Sequence, residues 1–119
     1  MLETTFCKTL SGVNVPLLTI TSRVRSDPDY NKIKLEEFED KESRISLPLN
    51  KKKKYIIITG RVHPGETPAS YVLNGILNFI LNEKSEQAKI LRDRFVFKVI
   101  PILNPDGVYR GYYRHDTKN

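Results

Sequence analysis

The sequence predicts an α/β fold in which a strand, a helix and a second strand make a crossover within a mixed or parallel sheet. Three segments carry that prediction. Tyr55 to Thr59 (YIIIT) is a short β-branched run ended by Gly60, the composition of a strand buried on both faces. After it, Val72, Leu73, Ile76, Leu77, Ile80 and Leu81 recur at three-and-four spacing, as on the apolar face of a helix. Phe95 to Leu103 (FVFKVIPIL) is a second buried run, stopped by the turn signal Asn104-Pro105-Asp106-Gly107.

The remaining elements fit around that unit. Met1 to Leu10 contains Glu3 and no long apolar run, so a signal-peptide core is not expected there. Val13 to Thr21 (VNVPLLTIT) follows the Ser11-Gly12 turn and reads as a strand, with Pro16 pushing it toward a sheet edge. Ser22 to Lys54 is charged and polar with Pro28 and Pro48; residues 22–54 are expected to form a surface insertion, since so long and polar a stretch is unsuited to a core connection. Thr67-Pro68 supplies a helix cap and a first-turn proline. Ser85 to Leu91 adds a short helix. In a right-handed crossover the loops Gly60 to Glu66 and Asn104 to Arg114 leave the carboxyl ends of neighbouring parallel strands, the edge where open α/β sheets place ligands.

The chain of 119 residues has the size of one domain, with 39% apolar and 29% charged residues, a balance too apolar for wholesale disorder. Its formal charge of +6 favours an acidic partner. Nucleic acid is not expected, because the basic residues neither form a helical stripe nor alternate with aromatics. No run approaches the roughly 20 apolar residues of a membrane span, and the single Cys7, read as a small core residue, agrees with a reducing, cytosolic setting. The run Lys51 to Lys54 reads as a solvated loop or as a patch attracting acidic tails.

His63-Pro64-Gly65-Glu66 sets an imidazole and a carboxylate three residues apart just past a strand. A tight Pro-Gly turn can bring both to one ion, and two His with one Glu is a known catalytic zinc set. The competing reading makes Glu66 a helix N-terminal charge and His63 a solvated loop residue.

Arg61 to Ser70 (RVHPGETPAS), Phe95 to Pro101 and Asn104 to Val108 together closely resemble the cytosolic carboxypeptidases of the zinc carboxypeptidase superfamily. Among these the sequence is most similar to the subtype that removes branch-point glutamate from tubulin. The resemblance implies a partial zinc-carboxypeptidase fold, Zn²⁺ as cofactor, His63 and Glu66 as metal ligands, and Arg114 facing the scissile carbonyl. It further implies an acidic protein or peptide substrate such as glutamylated tubulin, and a cytoplasmic, cytoskeleton-associated setting. The family arrangement puts no ligand at His115, which is read as a surface residue, and Asn104 to Gly107 is read as a positioning turn.

The family pattern continues with a Gly-x-Asn-Leu-Asn-Arg segment, a second zinc histidine, a tyrosine and a general-base glutamate, none of them in these 119 residues. The whole of 1–119 is therefore expected to be the N-terminal portion of a catalytic domain, inactive by itself, with an unpaired strand edge. Two alternatives stand beside this reading, an aspartoacylase-like zinc amidohydrolase, which also uses a His-x-x-Glu pair, and a non-catalytic basic module.

Overall fold

The computed structural model describes residues 1–22 and 53–116. Of the insertion expected over 22–54, only Ser22, Lys53 and Lys54 fall within them. The described elements run β1 (Leu2–Lys8), β2 (Asn14–Ile20), β3 (Lys54–Thr59), α1 (Pro68–Ile80), α2 (Glu86–Arg94), β4 (Phe95–Ile100) and α3 (Pro105–Tyr109). The four strands form one sheet in the order β1-β2-β4-β3. β1–β2 and β2–β4 are antiparallel and β3–β4 is parallel. The expected mixed sheet with its strand–helix–strand unit is present, with two helices in the crossover.

Register fixes the two faces of the sheet, because alternate residues of a strand point opposite ways. Ile20 of β2 and Phe97 and Val99 of β4 face α1 and form a core with Leu73 and Ile80. Ile56 and Ile58 of β3 pack against it. On the other face Val15, Leu17 and Ile100 make a second, smaller cluster. α1 ends where Arg92 of α2 donates to the carbonyl of Ile80 and, at 3.3 Å, to that of Asn82, capping carbonyls that a helix leaves unsatisfied. α2 starts at Ser85, whose hydroxyl accepts the Ala88 N–H at 3.2 Å.

Several expectations are corrected. β1, for which the sequence gives no strand signal, is an edge strand, and Cys7 on it is exposed rather than in the core; among the described residues no further strand pairs with its outer edge. Pro16 lies in the interior strand β2. Pairing of β2 with β4 covers only Leu18 to Ile20, so Pro16 sits past the end of that ladder, where its missing N–H removes no bond to β4. β3 is at the opposite edge, and Ile57 is 72% exposed because only the face of β3 bearing Ile56 and Ile58 meets the helices. Val72 is likewise 64% exposed on α1, one position outside the arc that Leu73 and Ile80 bury. Strand β4 ends at Ile100, and the Asn-Pro-Asp-Gly turn continues into the short helix α3.

The lysine run is corrected at Lys53, which is buried. Its ammonium donates to Thr21 Oγ1 at 2.9 Å, to the Ser22 carbonyl at 2.9 Å and hydroxyl at 3.0 Å, and to the Arg92 carbonyl at 3.0 Å. Burial lowers its pKa below the usual lysine range, against a smaller upward pull from Asp93. Lys53 thus ties the ends of β2 and α2 to the start of β3. Lys54 is exposed, and Lys51 and Lys52 lie outside the described residues.

Candidate metal and substrate site

Thr59 of β3 pairs with Ile100 of β4, so the loops following both strands start side by side. They are stitched together by Gly60 N–H to the Ile100 carbonyl, Leu103 N–H to the Gly60 carbonyl and Asn104 N–H to the Arg61 carbonyl, at 3.0, 2.8 and 3.2 Å. A Cβ at Gly60 would lie 2.6 Å from the Pro101 carbonyl oxygen, closer than a side chain tolerates. The next residue, Arg61, holds a left-handed backbone with φ of 53°, uncommon for a residue with a side chain. Its guanidinium is engaged by the Pro64 carbonyl, 2.8 Å from Nε, and the Ser70 hydroxyl, 3.1 Å from Nη1. That fork folds the loop back on the first turn of α1 and so brings His63 and Glu66 to one side. Thr67 occupies the cap position in a helical conformation without a side-chain bond, so the helix start depends on Pro68 and on this clamp.

His63 Nδ1 lies 2.8 Å from Glu66 Oε1. Arg114 donates from Nη1 to the same Glu66 oxygen at 3.3 Å, and its Nη2 is 3.1 Å from His63 Nε2. A guanidinium has no acceptor. Toward Arg114, Nε2 can therefore only accept, which leaves Nδ1 to face the Glu66 carboxylate. The side chains of His63, Glu66 and Arg114 are 33%, 44% and 54% exposed, so the cluster opens to solvent. The three residues singled out in the sequence, 51 positions apart at their extremes, meet at one point.

The segment carrying Arg114 is held by two close approaches. Gly65 N–H donates to the Tyr113 carbonyl at 2.7 Å, and a Cβ on Gly65 would fall 2.4 Å from the Tyr113 ring. A Cβ on Gly107 would fall 2.3 Å from Pro64 Cγ and 2.7 Å from the His115 carbonyl oxygen. Asn104 both caps α3, accepting from Gly107 N–H at 2.9 Å, and donates to the His115 carbonyl at 3.1 Å. Thr9 and Leu10 of the β1–β2 turn, with Val62, His63, Leu103, Arg114 and other residues of the two loops, line an open groove of about 460 Å³.

Asp106 of α3 is buried and anchors the β1–β2 turn to that groove. Its carboxylate accepts from the Thr9 hydroxyl at 2.7 Å and from Ser11 N–H at 3.2 Å. Burial raises its pKa, but the hydrogen bonds from Thr9 and Ser11 and the nearby Arg110 charge outweigh it and hold the carboxyl below the usual range. Asn104, Asp106 and Gly107 thus act within the turn that the sequence marks as positioning, and Arg61, Gly65 and Tyr113 are further positioning residues. Their Gly, Asn and Asp types were legible as turn chemistry, whereas the partners they approach were not.

An imidazole nitrogen and a carboxylate oxygen are donor types that zinc takes, and at 2.8 Å apart they can reach a single ion. Two donors fall short of the three protein ligands of a catalytic zinc. Among the described residues no group of three or more His, Cys, Asp or Glu side chains could hold a metal, and His115 is exposed with no part in such a group. His63 and Glu66 therefore fit one edge of a zinc site.

The family described as Zinc carboxypeptidase matches residues 3–119. The chain is 43% identical over 116 residues to cytosolic carboxypeptidase-like protein 5 of Danio rerio, covering 94% of this chain and 12% of that protein. It is 46% identical over 110 residues to cytosolic carboxypeptidase 2 of Xenopus tropicalis, covering 92% and 9%. Among solved structures, a carboxypeptidase A homologue from Shewanella denitrificans superposes with a TM-score of 0.68 at 30% identity, covering 96% of this chain and 23% of that one. The chain spans about an eighth of the length of the first of these relatives, and with a family match over nearly its whole length it belongs to the zinc carboxypeptidase family.

Proposed function

We propose that this chain carries one edge of the active site of a zinc metallocarboxypeptidase that removes glutamate, C-terminal or side-chain-linked, from acidic protein tails such as those of tubulin. The observation behind this reading is the meeting of His63, Glu66 and Arg114 at the carboxyl ends of β3 and β4. His63 and Glu66 act as two of the zinc ligands. Bound there, zinc would supply a Lewis acid and lower the pKa of its water to about 7.

Arg114 presents its guanidinium to the scissile carbonyl and stabilises the negative charge that develops on it; loss of one such donor costs about 100- to 1000-fold in rate. The Arg61 clamp on Pro64 and the Gly65–Tyr113 contact keep imidazole, carboxylate and guanidinium in register. Pre-organisation of this kind matters because a misplacement of about 1 Å at a reacting centre can cost 100-fold.

The formal charge of +6 supports an acidic substrate through long-range attraction. Lys53 takes no part in such a patch, because its ammonium is spent on internal acceptors. The relatives' names support a cytosolic setting, and no helix among the described residues is long and apolar enough to cross a membrane. The family match favours a carboxypeptidase over an aspartoacylase-like amidohydrolase. Since the described residues offer two metal donors and no third, the isolated 119-residue chain is expected to be inactive.

Zinc stoichiometry on the full-length protein and on this chain, each with and without His63→Ala, tests the reading. Only the full-length protein is expected to hold about one zinc and to lose it on substitution. It is also expected to release glutamate from a glutamate-tailed peptide and to leave N-acyl amino acids intact. Full zinc retention by the His63→Ala protein would remove the ligand assignment.

A further inference from the structure

We infer that the groove beside His63 is a specificity subsite, in which Leu10, Val62 and Leu103 bind an apolar side chain on the substrate residue that supplies the scissile carbonyl. The inference rests on the reading above in which Arg114 faces that carbonyl. The released glutamate lies on one side of the bond, and the carbonyl belongs to the residue on the other. A groove lined by both Arg114 and His63 is therefore placed to receive the side chain of the carbonyl residue.

Three aliphatic side chains from separate segments converge there. Leu10 of the β1–β2 turn is 71% exposed and Val62 52%, Leu103 is exposed as well, and all three line the same open space of about 460 Å³. Backbone contacts hold them in place. The Leu10 turn is tied to Asp106 through Thr9 and Ser11, Val62 follows the left-handed Arg61, and Leu103 N–H donates to the Gly60 carbonyl at 2.8 Å. Aliphatic residues exposed singly are ordinary on a surface, whereas a cluster of them rimmed by polar groups marks a ligand-binding groove. Continuity with the site names the occupant: a substrate that reaches Arg114 lies against these side chains.

Charge points the same way. Besides Arg114, the lining carries the carboxylates of Asp106 and Asp116. With the guanidinium committed to the scissile carbonyl, a further carboxylate brought into the groove by the substrate would be repelled, while an apolar side chain gains by leaving water. The enzyme is thus expected to take its glutamate most readily from a chain end where that glutamate follows an apolar residue, and least readily from the end of a run of glutamates.

The test uses the full-length enzyme and three peptides ending in glutamate, with leucine, alanine or glutamate as the preceding residue. kcat/KM for the leucine peptide is expected to exceed that for the alanine peptide about tenfold, the low end of what an apolar pocket discriminates, with the glutamate peptide the poorest. Replacing both exposed walls, Leu10→Ser with Val62→Ser, should bring the leucine-to-alanine ratio towards one, whereas Leu10→Met should keep it. Val72→Ser, at a comparably exposed position on α1, should keep the parent ratio. An unchanged ratio in the double variant, an equal loss in Val72→Ser, or a parent that prefers the glutamate peptide would overturn the subsite. The shortened peptides, ending in leucine, alanine or glutamate, repeat the comparison as binding measured by fluorescence anisotropy. If no peptide releases glutamate, yet the shortened peptides bind in the order leucine, alanine, glutamate and lose that order in the double variant, the glutamate-removing reading fails and the subsite stands. If glutamate is released without that order, only the subsite fails.

Discussion

The Asp106 carboxylate accepts a 2.7 Å hydrogen bond from the Thr9 hydroxyl across 97 positions of sequence, and this bond joins the β1–β2 turn to α3. Ser11 N–H adds a second contact at 3.2 Å, and Arg110 Nη2 reaches the Ser11 hydroxyl at 3.2 Å. One wall of the groove beside His63, formed by Thr9 and Leu10, depends on these contacts for its position.

Acid should loosen this wall in a defined direction. The folded pKa of Asp106 is depressed from the ordinary value of 3.8, so its stabilising contribution is present above that value and is lost as pH falls through the lower folded one. In Asp106→Asn that contribution is missing at every pH. Urea midpoints measured from about pH 5 downward should fall more steeply for the parent than for Asp106→Asn, with Asp106→Asn the less stable of the two at neutral pH. Parallel curves would show that the carboxylate's charge contributes nothing to the tie.

Lys53 should behave as a structural residue. Its removal takes the Lys53 donor from the Thr21 hydroxyl and the Ser22 carbonyl, while the Arg92 carbonyl keeps the Ser22 N–H and hydroxyl, and an unsatisfied buried polar group costs about 1–3 kcal/mol. Lys53→Met is expected to lower stability by that amount in a denaturant titration, whereas Lys54→Met, at an exposed position, should change it by less than about 0.5 kcal/mol. Binding to a polyglutamate peptide at low salt should follow the reverse order. Equal stability of the two variants would return Lys53 to the solvated run.

These contrasts mark where the sequence was readable. The crossover unit was legible because its signals are local: a period of 3.6 over α1 and short β-branched runs in β3 and β4. The choice of buried face on α1 was less so, since six apolar positions cover a wider arc than the sheet contacts and Val72 falls outside it. β1 (LETTFCK) escaped because an edge strand exposed along almost its whole length needs no apolar alternation. Lys53 looked solvated because burial of its ammonium depends on four acceptor atoms, on three residues far away in sequence. His63 and Glu66 were legible from spacing. Arg114 was reached through family resemblance, because no local pattern says that a chain 48 residues on returns to Glu66.

The return of that chain is expected to hinge on two glycines, with effects of different size. A methyl group at Gly65 would sit 2.4 Å from the Tyr113 ring, and since a ring at an exposed position can turn aside, Gly65→Ala should leave the fold intact while moving residues 113 and 114 outward. Its backbone N–H, bonded to the Tyr113 carbonyl at 2.7 Å, would be strained by the same shift. At Gly107 the methyl would meet Pro64 Cγ at 2.3 Å and the His115 carbonyl oxygen at 2.7 Å, neither of which is the end of a flexible side chain. Gly107→Ala should therefore be destabilising by about 1–3 kcal/mol, the usual range for overpacking. Two-dimensional NMR of Gly65→Ala should show shifts confined to residues around His63, Tyr113 and Arg114 with an unchanged melting temperature, while Gly107→Ala melts earlier. Were Gly65→Ala to melt as early as Gly107→Ala, the Tyr113 contact would belong to the core of the fold rather than to the placement of Arg114.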